Sequence, residues 1–126
     1  EKDERLANLI NDISKEYKLF MITSNKKSIA RDKLGALGID FRLFDPLISY
    51  ENNLSREDGR AFMHVRRELQ VNYNKILFVG DREQTDIFSA KSIGVKTAIV
   101  NSESKLADFR LKEIYDIEFI LEKMNL

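Results

Sequence analysis

The sequence contains no cysteine, a single proline at Pro46 and a single histidine at His64. Without cysteine there is no disulfide framework, no thiolate nucleophile and no thiolate metal site, and one histidine excludes a cluster of imidazole ligands. A reducing, cytoplasmic compartment is the expectation that follows. An excess of either charge is also lacking, since 21 Lys and Arg balance 21 Asp and Glu. That neutrality argues against nucleic acid and anionic membrane as main partners. No apolar run exceeds about five residues, too short to cross a bilayer. The opening stretch, EKDERLANL, lacks the ordered charges and apolar core of an export signal. What is present is 126 residues with a hydrophobic fraction of 43%, enough for one domain that buries roughly two thirds of its extended-chain surface. A single α/β domain over residues 1–126 is expected.

Apolar periodicity divides the chain into alternating helices and strands. Leu6, Leu9, Ile10, Ile13 and Tyr17 form one stripe on a charged segment, which predicts an amphipathic helix to about Glu16. The run Leu19 to Ile22 suits a strand covered on both faces and ends in Thr23-Ser24-Asn25. Ala30, Leu34 and Leu37 predict a second helix, stopped at Gly38. Pro46, lacking an N–H, belongs at a strand entrance, so Leu47 to Tyr50 reads as a short strand and Glu51 to Asp58 as a loop. Phe62, Val65 and Leu69 mark a third helix, and Lys75 to Val79 the clearest strand. A helix carrying Ile87, Phe88 and Ala90 then runs to Gly94, followed by a strand from Lys96 to Val100. Phe109 to Ile114 predicts an edge strand, and Ile117, Ile120, Leu121 and Met124 a final helix. Strict alternation with apolar strands is the pattern of a parallel, Rossmann-like sheet with helices on both faces. The aromatics Phe20, Phe62, Phe78 and Phe88 follow this periodicity and read as core.

In such sheets ligands bind beyond the carboxyl ends of the strands, which here read TSN, SYENNLS, GDREQTD and NSES. Hydroxyls, amides and carboxylates on one rim suit a phosphate and a hard metal ion. The strongest local signal is VGDREQTD, in which Gly80 permits a sharp turn that sets Asp81 at the strand end, with Asp86 near the next helix start. Two carboxylates on one turn suit magnesium; a turn residue and a helix cap are the plain alternative. His64 has no carboxylate at a diagnostic spacing and reads as structural.

Four ordered segments extend this pattern: YKLFMITSN, LGALGIDFRLFDPLISYE, a basic residue ahead of the third helix, and KILFVGDREQTDIFSAKSIGVKTAIV. On these the whole chain resembles the C-terminal part of haloacid dehalogenase-like (HAD-like) hydrolases, magnesium-dependent phosphatases that use an aspartate nucleophile. ADFRLKEIYDIEFIL resembles the family's closing strand and helix. The resemblance implies a HAD-like core lacking its first strand and cap. It implies that Thr23 bonds the transferring phosphoryl group, with Ser24 and Asn25 beside it in the phosphate-binding loop. Asp81 corresponds to the acid that binds Mg2+ and Asp86 to the second acid of that motif. The family's lysine falls on Arg56 in LSREDGRAF, where a planar guanidinium replaces a compact ammonium. Lys26, Lys27, Arg60 and Arg82 are other cations available to the same role.

Family phosphatases attack phosphorus with the first aspartate of an Asp-x-Asp motif, and no Asp-x-Asp occurs in this sequence. The expectation is therefore the C-terminal portion of a phosphomonoester hydrolase acting on a small phosphorylated substrate, its nucleophile upstream of Glu1. The alternative is a non-catalytic module that keeps the fold for binding or regulation. In the family the nucleophile strand lies mid-sheet, so its position would be filled by the upstream segment, by rearrangement of the sheet or by self-association.

Overall fold

A computed structural model describes residues 2–124, which divide after Leu54 into two compact units. The first unit opens with α1 (Glu4–Ser14), whose start is fixed by Asp3: its side chain accepts the Leu6 N–H at 3.0 Å. Leu9 and Ile13 of its apolar stripe are buried. The helix ends two residues before the expected Glu16, and Glu16 and Tyr17 both donate back to the Ile13 carbonyl. β1 (Leu19–Ile22) matches expectation, as does α2 (Lys27–Ala36), which buries Ala30 and Leu34. At its end Gly38 takes φ 84°, and the N–H of buried Ile39 reaches back to the Leu34 carbonyl at 2.9 Å. That is the left-handed stop with its hydrophobic neighbour that the sequence implied.

β2 differs from the expected strand. It spans Phe44–Ile48 and carries Pro46 inside it rather than at its entrance. β1 and β2 run parallel, pairing Leu19 with Phe44 and then Met21 with Leu47, so β2 holds one extra residue at Asp45-Pro46. A residue without an N–H cannot supply a rung, and the register steps past it. Tyr50, expected in the strand, lies instead in a 3₁₀ turn over Tyr50–Asn52.

The second unit contains α3 (Arg60–Leu69), β3 (Leu77–Gly80), α4 (Ser89–Ser92), β4 (Lys96–Val100), β5 (Phe109–Leu111) and α5 (Ile117–Met124). β3, β4 and β5 form a parallel sheet in that order. Ala61, Phe62 and Val65 put the apolar face of α3 in the core, and the Phe62 ring meets Phe78 edge-on with centroids 4.9 Å apart. Ala98, Leu111 and Ile120 form a second cluster with Val79 and Ile117 packed against it. β3 begins two residues later than the apolar run suggests, because Tyr73–Lys75 closes a 3₁₀ turn. The helix expected after Gly80 is two pieces, a π-helical turn over Glu83–Phe88 and then α4. The change of pitch turns Phe88 outward, where it is 59% exposed rather than core. Phe62 and Phe78 are buried as expected and Phe20 is half-buried. Parallel strands alternating with helices make this an α/β fold. Among the described residues no helix is long and apolar enough to cross a membrane.

Candidate active site

In the first unit, the segment leaving β1 is held by backbone pairing that continues past the strand. The Thr23 N–H donates to the Ile48 carbonyl and the Tyr50 N–H to the Asn25 carbonyl, each at 2.9 Å. Thr23 Oγ1 accepts the Asn25 N–H at 3.1 Å, closing a short turn rather than capping a helix. This leaves the hydroxyl proton of Thr23 directed by no partner among the described residues, and the N–H of exposed Ser24 is equally uncommitted. Two free donors on adjacent residues of a fixed turn can receive an oxyanion. Lys26 and Lys27 are exposed at the start of α2, and the Lys27 N–H donates to Glu51 Oε1 at 2.9 Å. That bond, followed by Glu51's own backbone N–H and the Lys26 charge, holds the Glu51 carboxyl below its ordinary range. Sequence reading passed over Glu51, which lies 24 residues away from its partner; an acid in a loop beyond a parallel strand was the only signal.

In the second unit, the turn after β3 is organised by Asp86, which is 5% exposed. Its Oδ2 accepts the N–H groups of Asp81 and Arg82, each at 3.2 Å, and its Oδ1 takes Arg56 Nη1 at 2.7 Å. A buried carboxylate is costly unless paired, and here both oxygens are engaged. The close approach requires glycine at position 80, since a Cβ there would stand 2.5 Å from Asp86 Cβ. Asp86 is thus not the simple helix cap of the plain reading: three donors converge on its two oxygens. Asp81 differs: its side chain is exposed and has no partner among the described residues.

The structure brings Arg56, Asp81 and Asp86 together in one unit and Thr23, Ser24 and Asn25 together in the other. Of the alternative cations, Arg60 is drawn to Asp58 at 2.8 Å, whereas exposed Arg82 has no side-chain partner among the described residues. His64 faces Glu68 one helix turn on, at 3.7 Å. Thr85 Oγ1 is buried without a partner in the π-helical turn. Among the described residues no group of three or more His, Cys, Asp or Glu assembles for a metal. Exposed Asp81, without a partner among the described residues, offers a single hard oxygen donor of the type that divalent cations take.

Comparison with known proteins identifies the family and the fold. The family model described as "Haloacid dehalogenase-like hydrolase" matches residues 4–100. The fold is similar to that of a HAD phosphatase from Thermococcus onnurineus, with 26% identity, a TM-score of 0.75 and coverage of 91% of this chain and 54% of that one. It is similar to the putative HAD-hydrolase YfnB of Bacillus subtilis, a structure bound to magnesium, at 17% identity and TM-score 0.75, covering 94% and 54% of the two chains. The core domain of a putative phosphoglycolate phosphatase from Streptococcus pneumoniae gives 20% identity and TM-score 0.72, covering 91% of this chain and 83% of that domain. The chain thus spans about half the length of the first two of these proteins. No curated protein matches the chain in sequence.

Proposed function

We propose a phosphatase role for this chain, which belongs to the haloacid dehalogenase-like hydrolase family: it is the C-terminal portion of a Mg2+-dependent phosphomonoester hydrolase. In this reading the attacking aspartate and the acid that protonates the leaving oxygen lie outside the 126 residues. The aspartate carboxylate bonds to phosphorus, the ester oxygen departs with the proton, and water then hydrolyses the aspartyl-phosphate. A small phosphorylated compound is the substrate, and the upstream segment or a second copy of the chain is the partner.

This chain's residues bind and orient. The Thr23 hydroxyl and the Ser24 N–H donate to phosphoryl oxygens, with Asn25 closing the turn that aims them. Arg56 offers its remaining N–H donors to the same kind of oxygen while Asp86 fixes its position. Asp81 would hold Mg2+, and Asp86 supports that acid through the backbone of Asp81 and Arg82 rather than by touching the ion. Bound Mg2+ supplies positive charge that offsets the charge of the phosphoryl oxygens. The observation that carries the reading is the Arg56–Asp86 pair at 2.7 Å, which ties a cation to the turn bearing an exposed Asp81. It supplies, on one turn, a fixed guanidinium and an uncommitted carboxylate.

The test begins with the natural reading frame, which on this proposal encodes a strand ending in Asp-x-Asp ahead of Glu1. Protein made from that frame is expected to hydrolyse p-nitrophenyl phosphate with Mg2+, and Asp81→Ala to abolish turnover. Full activity in that variant would refute the metal role. The absence of Asp-x-Asp from these residues favours a second reading, a non-catalytic module of the same fold. A frame that starts at this point, with phosphate binding but no hydrolysis, would select it.

A further inference from the structure

We propose that Glu51 is a positioning residue for the phosphate-binding turn Thr23–Asn25. The inference rests on the reading of that turn as the phosphate donor, and deepens it.

The argument starts from the pairing of β1 with β2. In a parallel ladder one strand donates and accepts at alternate residues of its neighbour. Here Thr23 donates to the Ile48 carbonyl, and Asn25 accepts from Tyr50. The next rung would join the Lys27 N–H to the Tyr50 carbonyl, but that carbonyl is taken by the Asn53 N–H at 3.1 Å as the chain folds into its 3₁₀ turn. Glu51 Oε1 stands in for it and accepts the Lys27 N–H at 2.9 Å. A side-chain carboxylate therefore extends the ladder by one rung, onto the first residue of α2. The helix needs it, because Lys26 at its N-cap has no acceptor and makes no side-chain cap. An anion at that end is also favoured by the helix dipole.

The backbone on either side of Glu51 is fixed by its neighbours. Asn52 Oδ1 accepts from the Ser49 N–H at 2.8 Å and from the Ser49 hydroxyl at 3.2 Å, and Ser49 is buried. Asn53 turns back with φ 50°. The result is a brace: Thr23, Asn25 and Lys27 are each bonded to the β2 exit, while the uncommitted donors of Thr23 and Ser24 lie within the braced stretch. Cutting the last bond frees the chain between Asn25 and α2 while Thr23 and Asn25 keep their own bonds to the β2 exit, so its effect reaches the donors through Asn25, whose N–H closes the turn on Thr23 Oγ1, and falls on their aim more than on the core.

The experiment uses the whole chain, with inorganic phosphate as the probe and the Ser24 and Asn25 amide resonances as readout. Wild type is expected to give saturable shifts. Glu51→Ala should weaken phosphate binding about fivefold, the scale of one hydrogen bond, and speed hydrogen exchange at the Lys27 amide, with the melting temperature little changed. Glu51→Gln keeps an acceptor oxygen and should bind within about twofold of wild type. On a Thr23→Ala background, Glu51→Ala should cost less than it does alone. Wild-type affinity in Glu51→Ala overturns the inference, as do equal losses in Glu51→Ala and Glu51→Gln. A loss that comes only with general broadening across residues 2–54 overturns it as well. If wild type gives no phosphate response, the phosphate reading of Thr23 and Ser24 fails first and takes this inference with it.

Discussion

Removing either member of the Arg56–Asp86 pair should destabilise the second unit, and removing both should cost much less than the sum. The Asp86 side chain is 8% exposed and that of Arg56 27%, so the two truncations leave different debris. In Arg56→Ala the buried carboxylate keeps only the N–H groups of Asp81 and Arg82. Stranding one charge of a buried pair costs roughly 3–5 kcal/mol, and partial access of water to the space vacated by arginine puts the expected loss near the lower limit, about 3 kcal/mol. In Asp86→Ala the guanidinium can turn toward water, but two backbone N–H groups lose their acceptor at about 1 kcal/mol each, for a total of about 2–3 kcal/mol with the void left behind. The double variant strands no charge, so its loss should be about 3 kcal/mol rather than the additive 5–6. Urea unfolding of the four proteins at neutral pH, compared at constant m-value, measures all the terms of the cycle. Additivity within about 0.5 kcal/mol, or single losses below about 1 kcal/mol, would refute the claim that the pair works as a buried unit.

Three further outcomes follow from the same geometry. Gly80→Ala places a Cβ 2.5 Å from Asp86 Cβ, and because the obstacle is the root of a side chain rather than its flexible end, a loss of about 1–3 kcal/mol is expected in the same urea assay; a neutral result would mean the turn is not closed. Acid should unfold the chain in part through Asp108, with only a small contribution from exposed Glu51. Burial alone would raise the Asp108 carboxyl, but the Thr97 N–H, Lys91 and the Thr97 hydroxyl outweigh it and hold it below its ordinary 3.8, while the Lys27 N–H holds Glu51 below 4.5. Since both fall on folding, their contributions are complete above those ordinary values and are lost as pH drops through the depressed ones. Asp108→Asn should therefore flatten the fall in melting temperature as the pH drops below about 4, and an unchanged slope would contradict it. Phe88→Gln should change stability by no more than about 0.5 kcal/mol, whereas Phe62→Ala, at a fully buried site, should cost about 3–5 kcal/mol; thermal melts separate the two.

Those last two phenylalanines mark where periodicity was legible and where it was not. β1 and β4 could be read to the residue because each is a short apolar run bounded by punctuation: Thr23-Ser24-Asn25 after one, Gly94 and Asn101 around the other. α3 was legible for the corresponding reason, one stripe of Phe62 and Val65 over a charged face. The segment after Gly80 was not, because its pitch is set by tertiary contact. Asp86 reaches back to the N–H groups of Asp81 and Arg82 and across thirty positions to Arg56. The wider π-helical turn that results cannot be seen in a count based on 3.6 residues. Pro46 misled for a related reason: a missing N–H is excluded from a rung, but a bulge admits it to the middle of a strand. At the candidate site the residue types were readable and their division of labour was not. Asp81 and Asp86 look equivalent in sequence, and Glu51 looks like any loop acid. Which carboxylates are engaged depends on partners 24 and 30 residues distant.

That division of labour bears on what an arginine at position 56 would contribute to the proposed site. With Asp86 at 2.7 Å, Arg56 belongs to a nearly neutral pair, and such a pair exerts little net pull on a phosphate dianion at a distance. What remains is directional. Of the five N–H donors of a guanidinium, one nitrogen is bonded to Asp86, and the others have no partner among the described residues. A lysine in the same bond would keep its other donors on that same atom, whereas the planar fork holds Nη2 and Nε apart at fixed angles. Arg56 is thus suited to recognising the shape of an oxyanion more than its charge. The charge must then come from elsewhere, and exposed, unpartnered Asp81 makes the deficit larger unless a cation sits on it. On the proposed reading a divalent ion would therefore strengthen substrate binding as well as serve the chemistry. Phosphate affinity should rise with Mg2+ in wild type, and in Asp81→Asn it should be higher without the ion and no longer respond to it.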